Sequence, residues 1–259
     1  MKLQPIENLG YRSLVVLDHL GRVAQFGLRI VVCLLGRPYR IRRLVADVYD
    51  AGVLSLPVVC LSGAVVGGTL SLLGHTTLVR FGAEDALGAL VGLSVIRELG
   101  PVLTALLVTG RAGSAIAAEI ATMVTTEQLD GLRMMSVDPV DFVVSPKALA
   151  LLIVMPLLAG LFIVFALMGG YGIAVGLLGV DGGSFMSSME GSVKFWNDIS
   201  GSFSKAIIFG ALTGLIATYR GYISEPTAAG VSAATTGTVV VGSVAILVFD
   251  FFLNGFWGV

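Results

Sequence analysis

The chain has 259 residues, of which 56% are hydrophobic and only 13% are charged. Soluble domains are typically about 45–50% apolar and about 25% charged, so the composition indicates an integral membrane protein. The formal net charge of -1 argues against a nucleic-acid partner. The two cysteines and two histidines have no metal-ligand spacing, so no metal site is predicted.

The N-terminal region differs from the rest of the chain. No secretory signal precedes the first apolar segments, which are therefore expected to remain in the mature protein. Residues 11–35 are apolar but carry polar side chains mostly three, four or seven positions apart, which favours an amphipathic helix in the membrane surface over a sixth span. Four arginines follow, suited to anionic headgroups or to a merely solvated loop: Arg37, Arg40, Arg42 and Arg43.

Five later segments are long and apolar enough to cross a bilayer. They comprise residues 51–73, 86–110, 148–180, 199–219 and 230–256. The third is longer than one crossing needs, and we expect it to tilt or to end near Gly169-Gly170. The predicted fold is all-α, with one domain over residues 1–259: a cytoplasmic or interfacial part, 1–50, and a five-span part, 51–259.

Small residues recur every four positions in several of these segments. They are Gly63 and Gly67, then Gly110, Ser114 and Ala118, and finally Gly172 and Gly176. Such spacing lets helix backbones approach closely within a subunit or between two subunits.

The distribution of Lys and Arg predicts the orientation. An N-terminus in the cytoplasm leaves twelve of these residues in inner segments and two in outer loops, and the opposite orientation inverts that ratio. Positive charge favours the cytoplasmic side. We therefore expect a cytoplasmic N-terminus, five spans and a C-terminus on the outer side.

Charged residues inside the apolar segments indicate where function is to be sought. An ionisable side chain at mid-membrane costs about 2.5–3.5 kcal/mol on insertion scales. From the rise per residue, Glu98 lies about 18 Å and Lys205 about 10 Å below the outer surface, and Asp250 lies near the outer boundary. Arg97 precedes Glu98 but points about 100° away from it. These positions predict a polar cavity open to the outside, or alternatively a structural clamp of ion pairs.

Pro101 follows this charged pair. It removes the hydrogen bond to the carbonyl of Arg97 and predicts a kink in the helix. Freed backbone is tolerated at membrane depth only where protein or a wet cavity covers it. The predicted kink therefore coincides with the predicted cavity.

The connection from residue 111 to residue 147 is the longest on the inner side. Thr125 with Gln128 fits a capping box and predicts a short amphipathic helix starting there. Its apolar, Met-bearing face suits a groove on a partner, or alternatively the lipid surface. The residues assigned to this docking helix are Thr125, Glu127, Leu129, Asp130, Leu132, Arg133 and Met135.

Catalytic motifs are missing from the sequence. It contains no GxxxxGK[ST], GxSxG or HExxH. An ATP-driven process would therefore need a separate chain for hydrolysis, and we expect this chain not to be an enzyme.

The central and C-terminal segments resemble a known family. The string SVIRELGPVLTALLVTGRAGSAIAAEIATMVTTEQLDGLRMMSVDPVDFVVSPK looks like the signature region of MlaE permeases, also called the YrbE family, and the similarity continues through GYISEPTAAGVSAATTGTVVVGSVAILVFDFFL. The resemblance covers nearly the whole chain. It implies a membrane subunit of an MCE-associated ABC transporter that moves phospholipids between the inner and outer membranes of Gram-negative bacteria and maintains outer-membrane lipid asymmetry.

The same resemblance implies partners and residue roles. The permease would be a homodimer with two cytoplasmic ATPase subunits that hold ATP and Mg, a STAS-domain protein bound to these, and a periplasmic MCE-domain hexamer. Residues 125–135 would form the coupling helix to the ATPase. The residues expected to bind phospholipid are Arg97, Glu98, Leu99, Lys205 and Asp250.

Two other function classes remain open on the residues alone. In an ion-coupled secondary transporter, Glu98 would be the proton site. In a non-transporting scaffold, the charges would only hold helices together. The predicted docking helix disfavours both alternatives.

Overall fold

The structure, a computed structural model, describes residues 4–36 and 41–257, and within these ranges it contains helices and short connections but no strand. Arg37 and Arg40 of the predicted basic cluster lie outside the described residues. The α-helices are α1 Gln4–Gly36, α2 Ile41–Gly52, α3 Leu56–Leu78, α4 Leu87–Ser94, α5 Gly100–Val108, α6 Ser114–Thr125, α7 Gln128–Met134, α8 Ser145–Gly176, α9 Gly182–Ser192, α10 Ser200–Tyr222 and α11 Ala228–Trp257.

Five continuous helical stretches of the described chain are long and apolar enough to cross a membrane, which agrees with the five predicted spans. Short 3₁₀ and π turns join successive α-helices within some of them. The stretches are Ile41–Phe81, Glu84–Thr125, Val140–Gly176, Trp196–Tyr222 and Ala228–Gly255.

Glycine contacts set the packing of the first and third spans. A Cβ atom on Gly67 of α3 would lie 1.8 Å from the carbonyl oxygen of Ala166 in α8, and one on Gly169 would lie 2.2 Å from that of Ala64. Only glycine permits such backbone contact. The predicted close contact at Gly63 and Gly67 is therefore confirmed, whereas Gly172 has no neighbour within 4 Å in the described chain.

Two helices extend past the predicted boundaries. α8 continues to Gly176 and uses Gly169 and Gly170 to contact α3, so the alternative that the third segment ends at these glycines is wrong. The helix that contains the predicted second span continues beyond residue 110 to Thr125, where buried Ile120 and Ala121 pack it against the bundle. The small-residue stretch after Arg111 is therefore helix rather than loop.

α1 is helical as predicted and packs on the bundle through a small aromatic cluster. Phe26 lies edge-on to Tyr219, with 5.4 Å between ring centroids, and Ile30 is buried beside it. Leu17, Leu28 and Val32 are exposed on the same helix. Its position in the membrane surface stays a prediction.

Candidate functional site

Three spans contribute three charged side chains and one amide to a cluster that we call the ionic cluster: Glu98, Lys205, Asp250 and Asn254. The Lys205 ammonium lies 2.9 Å from Glu98 Oε1 and 3.7 Å from Asp250 Oδ1, and it donates to Asn254 Oδ1. The Asn254 amide donates to Glu98 Oε2 at 3.1 Å and to Asp250 Oδ2 at 3.3 Å. The sequence predicted that Glu98, Lys205 and Asp250 belong together, and the structure places them in contact.

Pro101 explains why Lys205 has a further hydrogen-bond acceptor, the backbone carbonyl of Arg97. A proline has no N–H, so the carbonyl of Arg97 loses its α-helical partner. The chain makes a π turn at Val95–Leu99, and Lys205 donates to that carbonyl at 2.9 Å. π turns inside helices frequently occur at functional sites. The predicted interruption at Pro101 therefore takes the form of a π turn, with the freed carbonyl bound by a buried cation.

Arg97 points to a different partner, as its 100° separation from Glu98 predicts. Its Nε donates to Asp198 Oδ1 at 2.9 Å, and Asp198 Oδ2 accepts from the backbone N–H of Lys194 at 2.7 Å. This pair ties the second span to the turn that precedes α10. Leu99 is half-buried and lies outside the hydrogen-bonded network.

Exposure differs sharply across the ionic cluster. The side chain of Lys205 is 4% exposed and that of Asp250 is 15% exposed, whereas that of Glu98 is 35% exposed. Two carboxylates surround one ammonium, so the formal charge of the cluster is negative. The buried half has the geometry of a clamp, and Glu98 presents a carboxylate on the open side.

Sequence reasoning missed two members of this region. Asn254 lies one helical turn after Asp250, so the i,i+4 spacing could have indicated that they share a face. Asp198 lies one residue before the predicted fourth span, 199–219, and within the observed helical stretch Trp196–Tyr222; no local signal in the sequence distinguishes it. Within the described chain, no group of three or more His, Cys, Asp or Glu side chains could hold a metal ion.

A second ionic junction lies at the opposite end of the bundle and was also missed. Lys147 Nζ contacts Asp47 Oδ1 at 3.1 Å and Glu119 Oε2 at 2.7 Å, and its side chain is 5% exposed. Arg111 on the second span donates to the backbone carbonyl of Asp50 near the end of α2. These contacts join α2, α6 and α8.

A short helix forms where the docking helix was predicted, but its start and its apolar face differ from the prediction. α7 begins at Gln128, and Thr125 ends the preceding helix, where its hydroxyl donates to the Ala121 carbonyl at 2.9 Å. The residue that precedes α7 is Glu127, with a φ of 58° and no side-chain cap. No capping box therefore forms, because Thr125 keeps helical partners.

The two leucines of this helix pack inward. Leu129 is buried and Leu132 packs against the bundle core, so neither forms an exposed docking face. Met134 and Met135 are 88% and 67% exposed instead.

Asp130 and Arg133 pair with each other at 2.6 Å on the exposed side of α7. The Arg133 guanidinium also donates to the Tyr222 hydroxyl at 2.8 Å. The hydrogen bond to Tyr222 and the nearby Asp130 carboxylate raise the pKa of Arg133.

Comparison with known proteins places this geometry in context. The family model described as Permease MlaE matches residues 44–256. The chain is 45% identical to the Intermembrane phospholipid transport system permease protein MlaE of Haemophilus influenzae, over 92% of this chain and 93% of that protein. It is 36% identical to a Probable ABC transporter permease protein of Rickettsia bellii, over 98% of each chain.

A plant protein is similar as well. Protein TRIGALACTOSYLDIACYLGLYCEROL 1, chloroplastic, of Arabidopsis thaliana is 30% identical over 88% of this chain and 65% of that protein. The family match spans four of the five membrane helices in full and most of the first, including every member of the ionic cluster. The chain therefore belongs to the MlaE permease family.

Proposed function

We propose that this chain is the membrane permease subunit of an ATP-driven transporter that moves phospholipids between the inner and outer membranes and so maintains outer-membrane lipid asymmetry. The observation that carries the proposal is the ionic cluster, in which Lys205 is buried and Glu98 is about one-third exposed within otherwise apolar spans. Membrane charges of this kind mark substrate pathways. The name of the Haemophilus influenzae relative supports phospholipid as the substrate.

The chemistry of the cluster suits an amphiphile. Glu98 offers a carboxylate to the polar headgroup, while Lys205 and Asn254 donate hydrogen bonds that hold that carboxylate in place. Arg97 is fixed beside it by Asp198, and Leu99 contributes to the apolar wall for the acyl chains. A rigid, partly desolvated charge binds a headgroup more strongly than a mobile charge in water.

The energy source and the partners are part of the proposal. The permease would form a homodimer, and ATP and Mg would be held by separate cytoplasmic ABC ATPase subunits that carry a STAS-domain protein. An MCE-domain hexamer would bind on the periplasmic side and receive or deliver phospholipid. Residues 125–135 would couple the ATPase to the bundle, with exposed Met134 and Met135 as the apolar part of the contact.

The orientation follows the Lys and Arg distribution. The N-terminus and α7 would lie in the cytoplasm, and the C-terminus and the ionic cluster would lie toward the periplasm of a Gram-negative inner membrane. This arrangement puts the docking segment on the side where ATP is available. It puts the cluster on the side of the outer membrane.

The test is Glu98→Gln in the complete complex reconstituted in vesicles. We expect ATP-dependent phospholipid transfer to fall by about tenfold, which corresponds to one charge-assisted contact, while the subunits still co-purify. Glu190→Gln, an exposed carboxylate on α9, is the matched control and should transfer lipid normally. Unchanged transfer in Glu98→Gln contradicts the site, and transfer driven by a proton gradient without ATP would establish the ion-coupled alternative.

A further inference from the structure

A polar pocket lies at the end of the α10–α11 hairpin that is remote from the ionic cluster. Its volume is about 340 Å³, and its walls include Arg220, Ser224, Glu225 and small residues of α11. Arg220 is fifteen positions after Lys205 on α10, which separates the two sites by about 22 Å along the helix. The pocket is therefore a distinct site.

Arg220 extends in an unusual direction for an arginine near a helix end. A Cβ atom on Gly237 would lie 3.2 Å from the guanidinium carbon, so the side chain packs against α11 nine residues after its first residue. That is about 13 Å along α11. Arginines at the ends of membrane helices normally extend toward water. This one turns into the depth of the hairpin.

The guanidinium of Arg220 has no counter-ion among the described residues. Among the residues that the structure describes, Arg220 forms no ion pair and no side-chain hydrogen bond. An unpaired guanidinium at the edge of the membrane is costly, and an anionic group that fills the pocket would remove the cost.

Glu225 lines the same pocket and carries the opposite charge, but it forms no ion pair with Arg220. The pocket thus offers one cation and one anion that face a common space. A simple phosphate would be attracted by the first and repelled by the second. A headgroup with a phosphate and an ammonium satisfies both.

The small residues of α11 leave room for such a headgroup. Ala229, Gly230, Ala233 and Ala234 form that wall and fill little of the space. A Cβ atom on Gly230 would lie 2.2 Å from the carbonyl oxygen of Glu225, so the turn lies directly on the helix and fixes this wall.

We propose that this pocket binds the phosphoethanolamine headgroup of a membrane phospholipid, with the phosphate on Arg220 and the ammonium on Glu225. The inference rests on the proposed function, to which it adds a lipid site in the opposite leaflet from the ionic cluster. A membrane lipid fits better than a protein side chain, since the guanidinium lies about 13 Å along α11 rather than at the tip of the turn.

The test counts bound lipid by native mass spectrometry of the complete complex from phosphatidylcholine nanodiscs doped with either phosphatidylethanolamine or phosphatidylglycerol. We expect Arg220→Gln to lower retention of both doped lipids by about tenfold, because each loses its phosphate contact. Glu225→Gln should lower retention of phosphatidylethanolamine alone. Arg80→Gln, an exposed arginine at the other end of the bundle, is the control and should change neither.

Each substitution is made both in the natural chain and together with Glu98→Gln, so that the two lipid sites are counted separately. The assignment is overturned if Arg220→Gln retains as much of the doped lipids as the unsubstituted chain does. It is also overturned if Glu225→Gln loses both lipids equally. Displacement of the lipid by inorganic phosphate would identify a free anion site, and loss of a partner subunit with lipid unchanged would identify a protein contact; either result also overturns it. The proposed function is tested separately by phospholipid transfer in the single variant Glu98→Gln. If that variant loses transfer, the proposed function stands whatever the lipid counts at the Arg220 pocket show.

Discussion

Lys205 is the residue on which the ionic cluster depends. Its ammonium is almost completely buried and binds Glu98, Asn254 and the Arg97 carbonyl, with Asp250 close by. Removing one partner of a buried ion pair is strongly destabilising, because the other charges stay behind without compensation. Here two carboxylates would remain.

We expect Lys205→Met to lower the free energy of unfolding in detergent by about 3 kcal/mol, for the reason just given. Chemical unfolding followed by circular dichroism measures this value. Lys194→Met removes an exposed lysine from the turn before α10 and serves as the control, with no expected change. Equal stability of the two variants would show that the cluster contributes nothing to folding.

A double substitution separates charge from packing. Lys205→Met combined with Asp250→Asn should lose less stability than the sum of the two single variants, since the removed charges interact. Additive losses would contradict a direct electrostatic link between these two helices.

The charges that the sequence revealed are those that break an apolar run. Glu98, Lys205 and Asp250 interrupt long uncharged segments, so their cost in the membrane made them visible. Asn254 carries no charge and Asp198 lies just before the predicted segment 199–219, so neither stands out. The residues that Asn254 and Asp198 contact are determined by how the helices pack, and the sequence alone does not reveal that packing.

At the scale of helices, the α3–α8 contact shows how glycine position decides packing. Gly67 faces the α8 backbone, whereas Gly172 on α8 itself faces no described residue within 4 Å. Both belong to small-residue motifs of the same spacing, so the spacing alone does not predict which side meets a neighbour.

This difference predicts opposite effects of one substitution. Gly67→Ala should lower the free energy of unfolding by about 3 kcal/mol, because its Cβ must push the two backbones apart. Gly172→Ala should raise it by up to about 1 kcal/mol, because alanine favours a helix. Thermal unfolding of the two purified variants compares them directly, and similar melting temperatures would contradict the contact.

Helix boundaries were the least predictable feature at this scale. Thr125 is followed three residues later by Gln128, as in a capping box, yet its hydroxyl bonds backward to Ala121. A threonine fits either arrangement, and the choice depends on whether the preceding residues are already helical. Here the preceding residues are helical, because Ile120 and Ala121 pack against the bundle.

For the whole molecule, five spans were predictable because length and hydropathy determine them. The side of the membrane that each end of the bundle faces is predicted from the distribution of Lys and Arg instead. The two ends of the bundle are chemically different: one carries the ionic cluster, and the other carries the Lys147 junction and α7.

Cysteine labelling tests the orientation. In a chain with Cys33→Ala and Cys60→Ala, Ser187→Cys on α9 should react with a membrane-impermeant maleimide in spheroplasts, because α9 would face the periplasm. Met134→Cys on α7 is highly exposed but should react only after lysis. The reverse pattern would invert the topology and place the docking segment away from ATP.

The carbonyl-to-glycine contacts between α3 and α8 have a mechanical consequence. Neither helix can slide past the other or rotate against it without a clash between a main-chain oxygen and a neighbouring carbon. The α3–α8 pair is therefore expected to behave as a rigid unit. α11 is joined to the second and fourth spans near its far end by Asp250 and Asn254, and near its middle Gly242 packs closely on Thr109 of the second span. Any rearrangement of the helices is therefore expected to move α3 and α8 together as one unit.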